Sequence, residues 1–145
     1  MKKLITTLFI LATIACTAQT RISRIKDLRQ ETIILEAHIK GADTTYLFMF
    51  RDMQYEYIIN YSSIYFKSRT ELMTAFADMQ TIIEAPKGTE YMIPTVDDAV
   101  FMTATLMGQT VVYISSRDKS STKLAGKEIA KLQKAFLQWE NPISH

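Results

Sequence analysis

The stretch "TIILEAHIK", residues 32–40, alternates without a break: Ile33, Leu35, Ala37 and Ile39 fall on one side, Glu36, His38 and Lys40 on the other. Successive side chains of a strand point to opposite faces, so this is the pattern of a half-buried β-strand. Lys40-Gly41-Ala42-Asp43 follows, with glycine at the first central position, where a type II′ hairpin turn needs a positive φ. Pairing Lys40 with Asp43 predicts Ala37 opposite Tyr46, Leu35 opposite Phe48 and Ile33 opposite Phe50, which sends three aromatic rings to the core face. A slip of one residue would turn all of them to solvent, so the register is strongly constrained.

The same reasoning extends the sheet. An even-numbered loop around "RDMQYE" sets Tyr57 and Ile59 beside Phe50 and Arg51 opposite Glu56, whereas an odd loop would bury Glu56. "SSIYFKS" reads as another short strand. Ser68-Arg69-Thr70-Glu71 then matches a capping box, in which the Ser and Glu side chains each satisfy a backbone N–H at a helix start. Leu72, Phe76, Met79 and Ile83 follow on one helical stripe, ended by Pro86 and Gly88.

The second half follows a similar order. "EYMIP" reads as a short strand, and "AVFMTATLM" with "TVVYIS" as a hairpin about Gly108-Gln109, glycine first. "SSTKLAGKEIAKLQKAFLQW" reads as a helix with Ile129, Leu132, Phe136 and Trp139 inward, stopped at Asn141-Pro142. The predicted class is α+β: a mainly antiparallel sheet of five or six strands with two amphipathic helices on one face, strands-then-helix occurring twice.

The N-terminus belongs to another category. Lys2 and Lys3 precede twelve residues, Leu4 to Ala15, whose only polar members are threonines. This is the layout of a signal peptide, and the run is shorter than the roughly 20 residues of a membrane span. Cys16 and Ala18 form a small-x-small cleavage site, giving a mature chain from Gln19. Alternatively, Thr13-Ile14-Ala15-Cys16 resembles a bacterial lipobox, with Thr13 where Leu is usual; Cys16 would then carry a lipid anchor. The chain divides into a signal peptide (1–18), an N-terminal extension of marginal order (19–29), one α+β domain (30–140) and a C-terminal tail (141–145).

Of 17 basic residues two lie in the leader, which holds no acid, so the remainder balance the 15 acidic ones. A neutral mature chain argues against nucleic acid as the partner. Cys16 is the only cysteine, so the mature domain rests on its core alone, without disulfide or thiolate metal site.

Few residues suggest catalysis. His38 is on the polar face of a strand and His145 is terminal; the four glycines are too dispersed for a phosphate-cradling loop; Asp97-Asp98 fit turn or cap chemistry better than a calcium loop. No catalytic, cofactor or metal residue is selected. The candidate interaction surfaces are Tyr55 and Tyr61, as an aromatic platform, and Lys123, Lys127, Lys131 and Lys134, as a basic stripe on the last helix. The expected protein is a non-catalytic exported binding domain of the periplasm or cell envelope, contacting a macromolecular partner or a second copy. It would have no transmembrane segment in the mature chain and would touch membrane only through a lipidated Cys16. The rival expectation is a small hydrolase using carboxylates scattered in sequence.

Overall fold

The structure is a computed structural model, and it describes residues 17–27, 30–53 and 59–139. The described residues form eight strands and two helices in the order β1 (Thr17–Asp27), β2 (Gln30–Lys40), β3 (Asp43–Arg51), β4 (Tyr61–Phe66), α1 (Arg69–Glu84), β5 (Met92–Pro94), β6 (Val100–Leu106), β7 (Gln109–Ser115), β8 (Ser121–Leu124) and α2 (Gly126–Gln138). The α+β class holds. The strands, however, form two antiparallel four-stranded sheets, β1-β2-β3-β4 and β5-β6-β7-β8, rather than a single sheet of five or six.

The β2–β3 hairpin has the expected register, Lys40 with Asp43 through to Ile33 with Phe50. Gly41 carries a φ of +61°, while Ala42 is not among the positive-φ residues, as a type II′ turn requires. The second hairpin differs: Leu106 pairs with Gln109, so Met107 and Gly108 are the turn residues, both at positive φ (50° and 77°). This is the type I′ pattern with glycine second, and Met107, 97% exposed, occupies a left-handed position.

Three further expectations are corrected. Residues 19–29, read as a marginal extension, largely belong to β1, which pairs along β2 with register shifts between Arg21 and Ser23 and between Ile25 and Lys26. Those bulges interrupt the period-2 pattern that would have revealed the strand. Arg51 pairs with Tyr61 rather than Glu56, and Ile59 is exposed. Tyr55, Glu56 and Tyr57 lie outside the described residues. Finally, Ser121–Leu124 is a strand paired with β7, so the last helix begins at Gly126 and Lys123 lies on a sheet.

Ser68 caps α1 by accepting the Glu71 N–H at 3.1 Å, and Glu71 reaches back to the Lys67 N–H at 2.7 Å. α1 touches β3 and β4 of the first sheet and β6 and β7 of the second, so one helix serves both halves. Its buried Leu72, Phe76 and Met79 share a single core cluster with Phe48 and Phe50 of the first sheet and Phe101 and Ile114 of the second. α2 packs on β1 and α1, burying Ile129, Leu132 and Phe136. The helices approach closely where α2 starts: a Cβ at Gly126 would stand 2.9 Å from Cγ2 of Ile83. At the other end Tyr46 meets Phe136 edge-on with centroids 5.1 Å apart, and the Arg69 guanidinium lies 4.5 Å from the centre of the Phe136 ring. Burial raises the Tyr46 pKa, with Arg69 opposing the shift.

A left-handed backbone costs a non-glycine residue about 1–2 kcal/mol, and asparagine tolerates it better than methionine. Met107→Asn creates the Asn-Gly pair that type I′ turns favour, and it should raise stability by about 1 kcal/mol in urea denaturation. An unchanged or lowered midpoint would mean the turn does not hold this conformation in solution.

Candidate functional site

The two halves meet at the loops following β3 and β7. The buried Asp52 carboxylate accepts the Ser121 N–H at 3.0 Å, and the Met53 N–H donates to the Ser121 carbonyl at 2.8 Å. One residue of the second sheet is thus bonded through both backbone groups to the end of β3. Beside this junction the inward Ser62 of β4 meets the β7–β8 turn. Its hydroxyl lies 3.0 Å from the Ser116 hydroxyl and 3.0 Å from each oxygen of the Asp118 carboxylate. The Ser116 hydroxyl also bonds Asp118, and the Ser120 N–H donates to the same carboxylate at 3.0 Å.

These donors favour the ionised form of Asp118. Its pKa is lowered, chiefly by the Ser116 hydroxyl, with Ser120 and Ser62 adding to the effect and partial burial opposing it.

Along the outer edge of β4 runs an open cleft of about 500 Å³, lined by Tyr61, Ser62, Ser63, Asp97, Ser116, Arg117 and Asp118. Asp97 sits in the β5–β6 turn and accepts the Tyr65 N–H at 3.3 Å through Oδ2. Arg117 lies 3.5 Å from Asp98 at the exposed rim. Asp97, Asp98 and Lys119 all hold positive φ, at 57°, 54° and 68°. Three of the four non-glycine residues in this conformation among the described residues therefore stand in the two turns that wall this cleft. Such conformations persist only where the surrounding structure fixes them.

A second groove, of about 370 Å³, lies between α1 and the segment Pro94–Val96, and includes Glu71 and Asp78. Burial raises the Asp78 pKa. Of its two carboxylates, Glu71 is committed to the helix cap.

Of the residues expected from sequence, Tyr61 lies on the cleft and is 37% exposed. Lys127, Lys131 and Lys134 are exposed on α2, but Lys123 is on β8 opposite Tyr113, so the four do not form one helical stripe. Tyr55 and Cys16 lie outside the described residues. His38 departs from the expected solvated position. Its side chain is 28% exposed, its buried Nε2 has no hydrogen-bond partner, and the nearest carboxylate, Glu36 at 3.6 Å, is itself 3% exposed. The central position of β2 explains this, because β1 supplies Gln19 and Arg21 to the Glu36 carboxylate. Ser62, Ser116 and Asp118 were invisible in the sequence, since 54 residues separate the two serines that meet.

No family model, curated protein or solved structure matches the chain.

A carboxyl held ionised by native hydrogen bonds stabilises the fold above its unfolded pKa, near 3.8, and that contribution is lost as pH falls towards the lower folded value. Asp118→Asn should therefore be less stable than the parent at pH 7, with the difference shrinking below about pH 4. Urea denaturation at pH 7 and pH 3 reads both; a difference equal at the two values would show that the charge of Asp118 is not what these hydroxyls hold.

Proposed function

We propose that this chain is a non-catalytic binding domain, exported to the periplasm or cell envelope, which takes a macromolecular partner at the cleft between its two halves. The observation that carries the reading is the convergence there of an exposed aromatic ring, Tyr61, an outward strand edge and two carboxylates, in a concavity of about 500 Å³. Aromatic side chains anchor contacts at little entropic cost, and polar groups around them fix orientation.

Asp97 and Asp118 facing one cleft also resemble the carboxylate pair of a hydrolase. Such a pair needs one carboxyl that keeps its proton near neutral pH, which requires a raised pKa. Asp118 is driven the opposite way, because its carboxylate accepts the Ser116 and Ser62 hydroxyls. The arrangement suits recognition better than proton transfer.

Export rests on the Lys2-Lys3 start and the apolar run to Ala15. A cut after Ala18 would remove the first two pairs of β1, Thr17 with Lys40 and Ala18 with Ile39, and keep the rest. Processing before Cys16 would keep every described residue of β1, Thr17–Asp27, and the lipid-anchored form is the second reading.

Intact-mass measurement of the exported protein separates the two forms. A chain beginning at Gln19 without lipid is expected, and a diacylglycerol adduct on Cys16 would establish the anchored one. For the cleft, a photo-crosslinking residue placed at Tyr61 should give a discrete adduct in the envelope fraction, whereas the same residue at Lys123 or Lys131 should not. Adducts from the lysine positions alone, or none from position 61, would overturn the proposed site.

A further inference from the structure

α1 carries a second surface besides its buried stripe. Leu72, Ala75, Phe76, Met79 and Ile82 enter the core. Glu71, Thr74 and Asp78 recur at i, i+3 and i+7, so they share a neighbouring face of the helix, with Thr70 one turn before Thr74. That face forms one wall of the open groove of about 370 Å³, and Pro94, Thr95 and Val96 form the other. The second wall is held by turn bonds, from the Thr95 N–H to the Ala99 carbonyl at 2.8 Å and from the Ala99 N–H to the Val96 carbonyl at 3.2 Å. The groove shares no lining residue with the cleft beside β4.

Asp78 is the group that packing leaves unexplained. It stands in the middle of α1, where aspartate is a poor helix former and has no helix end to cap. Among the described residues it has neither a hydrogen bond nor an ion pair, and burial alone shifts its pKa. A half-buried carboxylate without a partner opposes folding, so stability does not account for it. Glu71 accepts the Lys67 N–H through Oε2, which leaves its other oxygen and its charge to the groove.

The spacing of the two carboxylates selects the ligand. Seven residues of helix separate their Cα atoms by about 10 Å along the axis, and Cα–Cβ bonds of a helix all tilt towards its N-terminus, which preserves that separation. One metal ion cannot bind both, because its oxygen ligands lie about 2–2.6 Å away. Two cations joined by a short aliphatic chain span it, once a hydrogen bond is added at each end.

We infer that this groove binds a small aliphatic diamine, with one ammonium group on Asp78, the other on Glu71 and the carbon chain against Pro94 and Val96. Each ammonium brings three donors, and the hydroxyls of Thr70, Thr74 and Thr95 are the further acceptors along the groove. The site is separate from the macromolecule-binding cleft, and neither reading requires the other.

The test uses the protein as processed in cells, labelled with ¹⁵N and titrated at constant ionic strength with 1,4-diaminobutane, 1-aminobutane, succinate and calcium chloride. The diamine should shift the amide resonances of Thr74, Asp78 and Thr95 and saturate at millimolar concentration, with 1-aminobutane about fivefold weaker and succinate without effect there. Asp78→Asn keeps the side-chain shape and removes the charge. Since burial disfavours that charge, the variant should be at least as stable as the parent in urea, yet bind the diamine about fivefold less tightly. Glu71→Gln retains a capping-box residue and should weaken the diamine about threefold. Should Glu71→Gln fail to fold, Asp78→Asn decides alone. No shift at these amides with millimolar diamine, equal affinity for 1-aminobutane and 1,4-diaminobutane, the same shifts produced by calcium or succinate, or unchanged diamine affinity in either folded variant would each overturn the inference. Any of those results would leave the cleft reading, which the crosslink from position 61 tests, where it stands.

Discussion

The attachment of Ser121 to the end of β3 is the constraint on which the arrangement of the two halves depends. Each sheet buries one face against α1, and a shared helix alone would leave the sheets free to pivot about it. Two bonds to a single residue, from the Asp52 carboxylate and from the Met53 amide, fix both position and direction at the seam. Asp52 is 2% exposed, so a lost partner there could not be replaced by water, and an unsatisfied buried N–H costs about 1–3 kcal/mol. The Ser62–Ser116–Asp118 cluster then ties the neighbouring strand to the next turn. The cleft lies beside these contacts, between Tyr61, Ser62 and Ser63 of β4 and the two turns of the second half.

How much of this was legible depends on the range of the interactions. The β2–β3 register was readable residue by residue, since burial of one face and a two-residue turn leave a single solution. The Ser68–Glu71 cap was readable for the same reason: its hydrogen bonds span three residues. β1 was hidden by its own bulges and by arginines on a strand whose neighbours are supplied by tertiary structure. β8 was absorbed into the helix that follows because Lys123, Lys127 and Lys131 happen to keep a helical spacing. The true distinction, buried Ser121 and Thr122 followed by exposed Lys123 and buried Leu124, needs β7 beside it to be recognised. At the site, Tyr61 could be picked out as an aromatic within a tyrosine-rich stretch. Its companions come from two turns and a strand edge, and no local spacing connects them.

The two turns that wall the cleft carry conformational cost. Asp97 and Asp98 adopt consecutive left-handed conformations, which aspartate bears better than most residues because its short side chain bonds nearby backbone. Lys119 has no such excuse, and its φ of 68° is imposed by the contacts of its neighbours: the Lys119 N–H to the Ser116 carbonyl at 2.9 Å and the Ser116 N–H to the Ser120 carbonyl at 3.0 Å. The hydroxyl bonds that hold Asp118 ionised also close this turn. The electrostatics of the cleft and the shape of its wall therefore have one origin, and neither can be altered without the other.

An outward strand edge is a hazard as well as an opportunity, since any extended chain can pair with it. The fold limits that hazard from the second half. Asp97 occupies the Tyr65 amide with a side chain, which ends pairing without adding a strand, and the β7–β8 turn stands beside the start of β4. The part of β4 that lines the cleft, Tyr61 to Ser63, is too short for the long ladders that drive aggregation. On the walls of the cleft stand Tyr61, Asp97 and Asp118, and Asp118 is held by the same serine hydroxyls that tie β4 to the second half.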